Sequence, residues 1–293
     1  MQYQFTYNDA FSRNIGWVTA HEQRTLRASR IAIAGLGGVG GSHLLTLTRL
    51  GIGAFHIADF DTFDIANFNR QAGATMDAWG RPKAVVLANM ARDINPELNL
   101  TVFDRGVTDA NVDEFLDGVD VYVDGLDFFA FEARALLFAA CARRGIPATT
   151  VAPLGMGAAL LNFMPGGMTF EQYFRWSGCS EEQMALRFLI GLAPALLHAA
   201  YLVEPGTVDL DAHKGPSTGM ACALCAGVAA TEALKILLKR GTVLAAPHGI
   251  HFDAYRNKLT RTWRPWGNAN PLQRALLWLV ARRFKAARKC QAS

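Results

Sequence analysis

A chain of 293 residues with 51% hydrophobic and only 18% charged residues is long enough for a sizeable core and too apolar for a disordered chain. The net charge of +4 is too small on its own to argue for nucleic acid, although Lys and Arg recur from Arg256 to Lys289 without one Asp or Glu, so that stretch is cationic. Five dispersed cysteines make no disulfide framework and point to a reducing cytoplasm, and the N-terminus lacks the basic-then-apolar order of a signal peptide.

In chain order, residues 1–28 read as a mostly polar arm, with Tyr3, Phe5, Tyr7, Phe11 and Trp17, that leads into a helix. Residues 31–34 form a short apolar run that ends at Gly35, and 42–50 carry helical apolar spacing that ends at Gly51. Strands are expected at 55–58, 98–103, 119–124 and after Gly145. Helices are expected at 83–94, 111–116 and 131–144. Such alternation predicts an α/β fold with a largely parallel sheet covered by helices on both faces.

After about Gly155 the alternation fades. Gly-rich patches separate apolar helices at 184–203 and 220–240, so this half is expected to be helical and loop-rich. Residues 184–203 have the length of a membrane span, roughly 20 residues. Arg187, Pro194 and His198 within them favour a buried helical pair or a dimer-interface segment instead, so the chain is not read as an integral membrane protein. The expected organisation is an arm at 1–28, a nucleotide-binding core at 29–155, a substrate-side and dimer-contact portion of the same domain at 156–255, and a basic C-terminal helix within 256–293.

The chemistry gathers between Ser29 and Lys83. Gly35-Leu-Gly37-Gly38-Val-Gly40 lies between a strand and a helix, where glycines permit a tight turn and the helix N-terminus favours anionic phosphate. Asp59, with Asp61 beside it, lies 19 residues beyond Gly40, where a ribose-binding carboxylate is expected. This much makes the core Rossmann-like and suits NAD as well as ATP. Asn67, Arg70 and Lys83 add donors and two permanent charges, and Asp127 at a strand end adds a hard oxygen for Mg²⁺. Such a cluster suits phosphoryl or nucleotidyl transfer better than hydride transfer, although Arg70 and Lys83 taken singly also read as solvated helix-end charges.

In that order the residues Gly35-x-Gly-Gly-x-Gly40, Asp59-Phe-Asp61, Asn67-x-Asn69-Arg70-Gln71, Gly80-x-x-Lys83, Asn95-Pro96 and Asp124-x-x-Asp127 resemble the ubiquitin-activating-enzyme-like superfamily of ThiF, MoeB and TcdA. The resemblance implies a homodimeric enzyme that uses ATP·Mg²⁺ to adenylate a carboxylate on a ubiquitin-like or sulfur-carrier protein, or on a peptide. It implies that Asp59 binds the ribose and that Asn67 and Arg70 hold the phosphates. Lys83 would stabilise charge at the α-phosphate, Asp127 would bind Mg²⁺, and Arg13 would reach the neighbouring subunit's ATP. A TcdA-like tRNA dehydratase is the alternative substrate reading, supported by the basic tail; a non-catalytic nucleotide-binding scaffold is the alternative from another class.

Two departures from the family pattern stand out. Many relatives hold zinc with two Cys-x-x-Cys pairs, and this chain has only Cys222-Ala-Leu-Cys225; a structural zinc needs four ligands, so zinc is not expected, with His213 and Cys179 the remaining fillers. Cys179 is the candidate for an acyl-accepting nucleophile, but no partner base can be named beside it and an ordinary loop thiol fits as well. The run from Lys214 to Gly219 could present donors to a carboxylate or be a plain turn before the next helix.

Overall fold

The structure, a computed structural model, describes residues 4–209 and 212–291. Two helices, α1 (Tyr7–Ala10) and α2 (Ala20–Ala28), precede the sheet, and the second opens on a capping box between Thr19 and Glu22. Then come β1 (Arg30–Ala34), α3 (Gly40–Leu50), β2 (Ala54–Ala58), α4 (Lys83–Ile94), β3 (Asn99–Phe103), α5 (Val112–Phe115), β4 (Val121–Asp124), α6 (Phe131–Arg144) and β5 (Ala148–Leu154). The punctuation is chemical: α3 and α6 stop where Gly51 and Gly145 take left-handed backbone, and α4 starts after Pro82.

The remaining elements are β6 (Gly157–Phe163), α7 (Phe170–Phe174), α8 (Glu181–Leu192), α9 (Gly219–Leu238), β7 (His248–Asp253), β8 (Lys258–Trp263) and α10 (Pro271–Gln291). One sheet runs β3-β2-β1-β4-β5-β6-β7-β8, parallel through β5 and antiparallel beyond it. Chain order reverses about β1, which opens a crevice at the carboxyl ends of β1 and β4. Ile31 and Ile33 of β1 face the core under α3, α4 and α9, while Ala32 and Ala34 face the one under α5 and α6.

The second half therefore departs from its sequence reading. It adds three strands to the same sheet, and β6 is hard to see in sequence because Gly157-Ala-Ala-Leu-Leu-Asn-Phe163 has no β-branched residue. Residues 184–203 are not one helix: α8 stops at Leu192, and a separate 3-10 turn follows at Leu197–Ala200. The basic helix begins only at Pro271, because Lys258–Trp263 is an edge strand. The cationic side chains of that helix beyond residue 283 lie outside the described residues. Among the described residues, α9 is the one helix long and apolar enough to cross a membrane, and here it lies against β5, β6 and α3.

Candidate nucleotide site at the glycine turn

The turn between β1 and α3 is packed backbone against backbone. Gly35 has φ +80°, and a methyl group there would stand 2.4 Å from the Gly125 carbonyl oxygen; one at Gly40 would stand 1.8 Å from that of Gly35. The turns after β1 and β4 thus touch at the crevice, which only glycine allows. Val39, just before α3, supplies no side-chain cap, so the helix opens with amides available to an anion.

Carboxylates and cations surround this turn. Asp59 accepts from the Leu36 amide at 2.6 Å through Oδ2 and from the Asp61 amide at 2.8 Å through Oδ1. Burial pushes its carboxyl above the ordinary value, although both amide bonds oppose the shift. Lys83, the first residue of α4, is buried; its amide donates to the Asp61 carbonyl at 2.9 Å and its Nζ to Asp61 Oδ2 at 3.0 Å. Leu87, one helical turn on, packs at Gly41 and brings this face of α4 to the start of α3.

Arg70 crosses the turn from the other side. A side chain at Gly38 would meet the Arg70 stem at 3.8 Å and Cys222 Sγ at 3.2 Å. The Arg70 guanidinium donates to the Ala66 carbonyl and to Asn69 Oδ1, both at 2.9 Å. Asn67 closes a local capping box, accepting from the Asp64 amide at 2.9 Å. Asn69 donates to the Ser217 carbonyl at 3.0 Å, which ties the Ser217–Gly219 stretch to Arg70. That stretch therefore borders the site rather than forming a remote turn.

Asp127 is exposed and accepts from the Phe129 amide through one oxygen, at 3.0 Å. Its loop is held by a residue that sequence reading missed. Arg134 of α6 is fully buried, ion-pairs with Asp124 at 2.9 Å, and donates to the carbonyls of Leu126, Asp127 and Phe128. Asp124 also accepts from Thr150 Oγ1 at 2.9 Å. An arginine on the apolar face of a predicted helix, between Phe131 and Phe138, was the available signal.

Gly35, Gly37, Gly38, Gly40, Asp59, Asp61, Asn67, Arg70, Lys83 and Asp127 thus fall on loops and helix starts at one end of the sheet. Arg13 does not join them within the chain. It is exposed beside Asn14, whose side chain donates to the Leu50 carbonyl at the far end of α3, about 16 Å along that helix. Cys179 lies in the loop before α8, its thiol against the Arg175 carbonyl at 3.4 Å, and among the described residues no basic side chain is bonded to it. That loop leads to the Asp127 side, where His213 stacks on Phe129 at 4.6 Å and reaches Glu181 at 3.6 Å. Cys222 floors the glycine turn and Cys225 is buried in the core; burial pushes both thiols up. Among the described residues no group of three or more His, Cys, Asp or Glu is placed to hold a metal ion.

The chain resembles known proteins in sequence and in fold. The ThiF family model matches residues 11–275. The SAMP-activating enzyme E1 of Haloferax volcanii is 30% identical over 241 residues, 82% of this chain and 79% of that one. The tRNA threonylcarbamoyladenosine dehydratase of Escherichia coli (strain K12) is 38% identical over 128 residues, 43% of this chain and 47% of that one. The match thus spans about half of that curated relative's own length. Among solved structures, the E. coli dehydratase TcdA in complex with AMP superposes with a TM-score of 0.58 at 25% identity, over 79% of this chain and 95% of that one. The E. coli MccB structure with ATP gives 0.64 at 19% identity, over 87% and 72%, a likeness of fold.

Proposed function

Because the chain belongs to the ThiF family, we propose that it is an ATP-dependent adenylyltransferase that converts a carboxylate on a protein or peptide into an acyl adenylate and releases pyrophosphate. The observation that carries this reading is the convergence of the uncapped α3 start, Arg70 and Lys83 on one glycine turn, with Asp127 on the adjoining loop. The substrate carboxylate oxygen attacks the α-phosphorus, the bond to the pyrophosphate oxygen breaks, and no proton has to move. Asp59 binds the ribose hydroxyls, and the α3 amides with Asn67 and Arg70 hold the phosphates. Lys83, neutralised by Asp61 in the free chain, exchanges that counter-ion for the charge that develops at the α-phosphate. Asp127, exposed and with one oxygen uncommitted, suits a hard cation and would hold Mg²⁺, which supplies charge neutralisation on the phosphates.

Arg13 would serve the site of a second subunit in a homodimer, which its position at the far end of α3 supports. The free Cys141, Cys179, Cys222 and Cys225 support a reducing, cytoplasmic setting. Radiolabelled pyrophosphate exchange into ATP, with candidate carboxylates, tests the reading. Lys83→Ala and Asp127→Ala should each retain ATP binding and lose on the order of a hundredfold or more in exchange, the scale of one removed charge-stabilising group. Full exchange activity in both variants would overturn it.

A tRNA substrate is the second reading, favoured by the 38% identity to the E. coli dehydratase and by the acid-free stretch from Arg256 to Lys289. Specific tRNA binding that weakens steeply with salt would move the substrate assignment there. Filter binding across a salt series decides the matter.

A further inference from the structure

Away from the glycine turn, α8 and α10 flank an open cavity of about 530 Å³. Its walls carry three guanidinium groups, Arg175, Arg187 and Arg274, and its apolar lining is Leu186, Leu277 and Trp278. Among the described residues none of these arginines is in ion-pair distance of a carboxylate, and Arg187 donates to the Arg175 carbonyl. Glu171 of α7 is committed to the amides of Trp176 and Ser177. Arg282 adds a further cation at the rim, stacked 4.7 Å over the Trp278 ring.

The cavity is built before anything enters it. Asn268 donates to the carbonyls of Phe174 and Arg187, both at 3.0 Å, and Gln273 donates to the Ile190 carbonyl at 2.7 Å. These bonds bolt the start of α10 to α7 and α8, while Leu186, Ile190 and Val280 pack between the helices. Three like charges held together on a preformed wall repel one another, and that cost is recovered only when an anion arrives. Guanidinium groups match carboxylates in bidentate pairs, and the apolar lining takes one hydrocarbon side chain.

We infer that this cavity is a docking site for an acidic segment of a partner protein, one in which carboxylates flank a large apolar residue. Charge complementarity selects this occupant. A second copy offering its own α10 would bring cations to cations, because the stretch from Arg256 to Lys289 has no acid. A nucleic-acid backbone would leave Leu186 and Leu277 unmatched. The site shares no residue with the glycine turn, so it does not rest on the proposed adenylyl transfer.

Fluorescence anisotropy with an array of labelled peptides, in which glutamates flank one leucine, phenylalanine or tryptophan, tests the inference on the full chain without ATP. Saturable binding is expected, lost when glutamine replaces glutamate, and weakened at least about tenfold by Arg274→Glu, the worth of one charge-assisted hydrogen bond. Trp278→Ala should weaken it as well, with the circular dichroism and melting temperature of both variants unchanged. No binding across the array, or binding indifferent to Arg274→Glu, overturns the inference. Tighter binding of a single-stranded RNA oligonucleotide by the same arginines would overturn it in favour of nucleic acid. A change in sedimentation mass with Arg274→Glu and no peptide present would overturn it in favour of self-association.

Discussion

The glycine-turn end of the sheet and the cleft between α8 and α10 handle positive charge in opposite ways. At the glycine turn each cation has a partner in its own chain: Lys83 leans on Asp61, Arg134 is bonded into Asp124, and Arg70 is held by Ala66 and Asn69. In the cleft, Arg175, Arg187 and Arg274 line a cavity and none of them forms an ion pair among the described residues, although Arg187 donates to the Arg175 carbonyl. Internal pairing sets a geometry at folding and ties it to stability. Unpaired charge contributes little to folding and is available for binding. Substitutions in the two places should therefore separate stability from recognition.

Among the substitutions, the largest loss of stability is expected at Arg134. Replacing it with Met leaves the Asp124 carboxylate buried without its cation, and breaking such a pair costs about 3–5 kcal/mol, read as a lower denaturant midpoint. Acid acts on both halves at once, because each half of the molecule holds a histidine whose ring nitrogens have no partner among the described residues. Burial takes His43 down to about 3 and His251, beside His198 and Asp253, down to about 4. The unfolded chain binds these protons near pH 6.5 and the folded chain does not. Stability is thus full above that pH and falls as pH drops from about 6.5 toward 4 and then 3, by roughly 1.4 kcal/mol per unit for each histidine. His43→Leu should remove one proton from that slope in a pH series of urea titrations; an unchanged slope would show that the ring finds water or a partner.

Lys83→Ala sharpens the contrast within the glycine-turn end itself. Its partner Asp61 is about half exposed, so the stability cost should be near ~1 kcal/mol or less even as exchange activity collapses. Smallest of all is Arg274→Glu, exposed and without an ion pair among the described residues, which should change the stability by no more than about 0.5 kcal/mol while it weakens binding of the acidic peptide. A large loss of stability there would mean that the cleft arginines hold the fold together after all.

The parallel half was legible because each of its strands is a short run that ends at glycine or aspartate, and α3 and α6 stop at Gly51 and Gly145. Residues 83–94 and 131–144 were placed to the residue as α4 and α6. The antiparallel half hid because β6, from Gly157 to Phe163, has no β-branched residue, and β8, at the sheet edge, is rich in Lys, Arg and Thr. The candidate site shows the same division. Gly35, Asp59, Arg70 and Lys83 stand close in sequence, so motif spacing finds them. Arg134, Cys222 and Ser217 reach the site through tertiary packing alone, across separations no spacing rule covers.

The Arg134 guanidinium has one further effect, on the clock of local motion. Leu126 to Phe129 lie on a surface loop, a kind of segment whose amides ordinarily trade hydrogen for deuterium quickly. Here the carbonyls of three of those residues are bonded to one side chain that cannot leave without exposing a buried ion pair and drawing away from the Phe188 ring, 4.5 Å beneath it. The loop should therefore open only when α6 lifts from the sheet. Its Leu126 and Phe129 amides, already donating to Asp124 and Asp127, should exchange on the slow timescale of the β-strands.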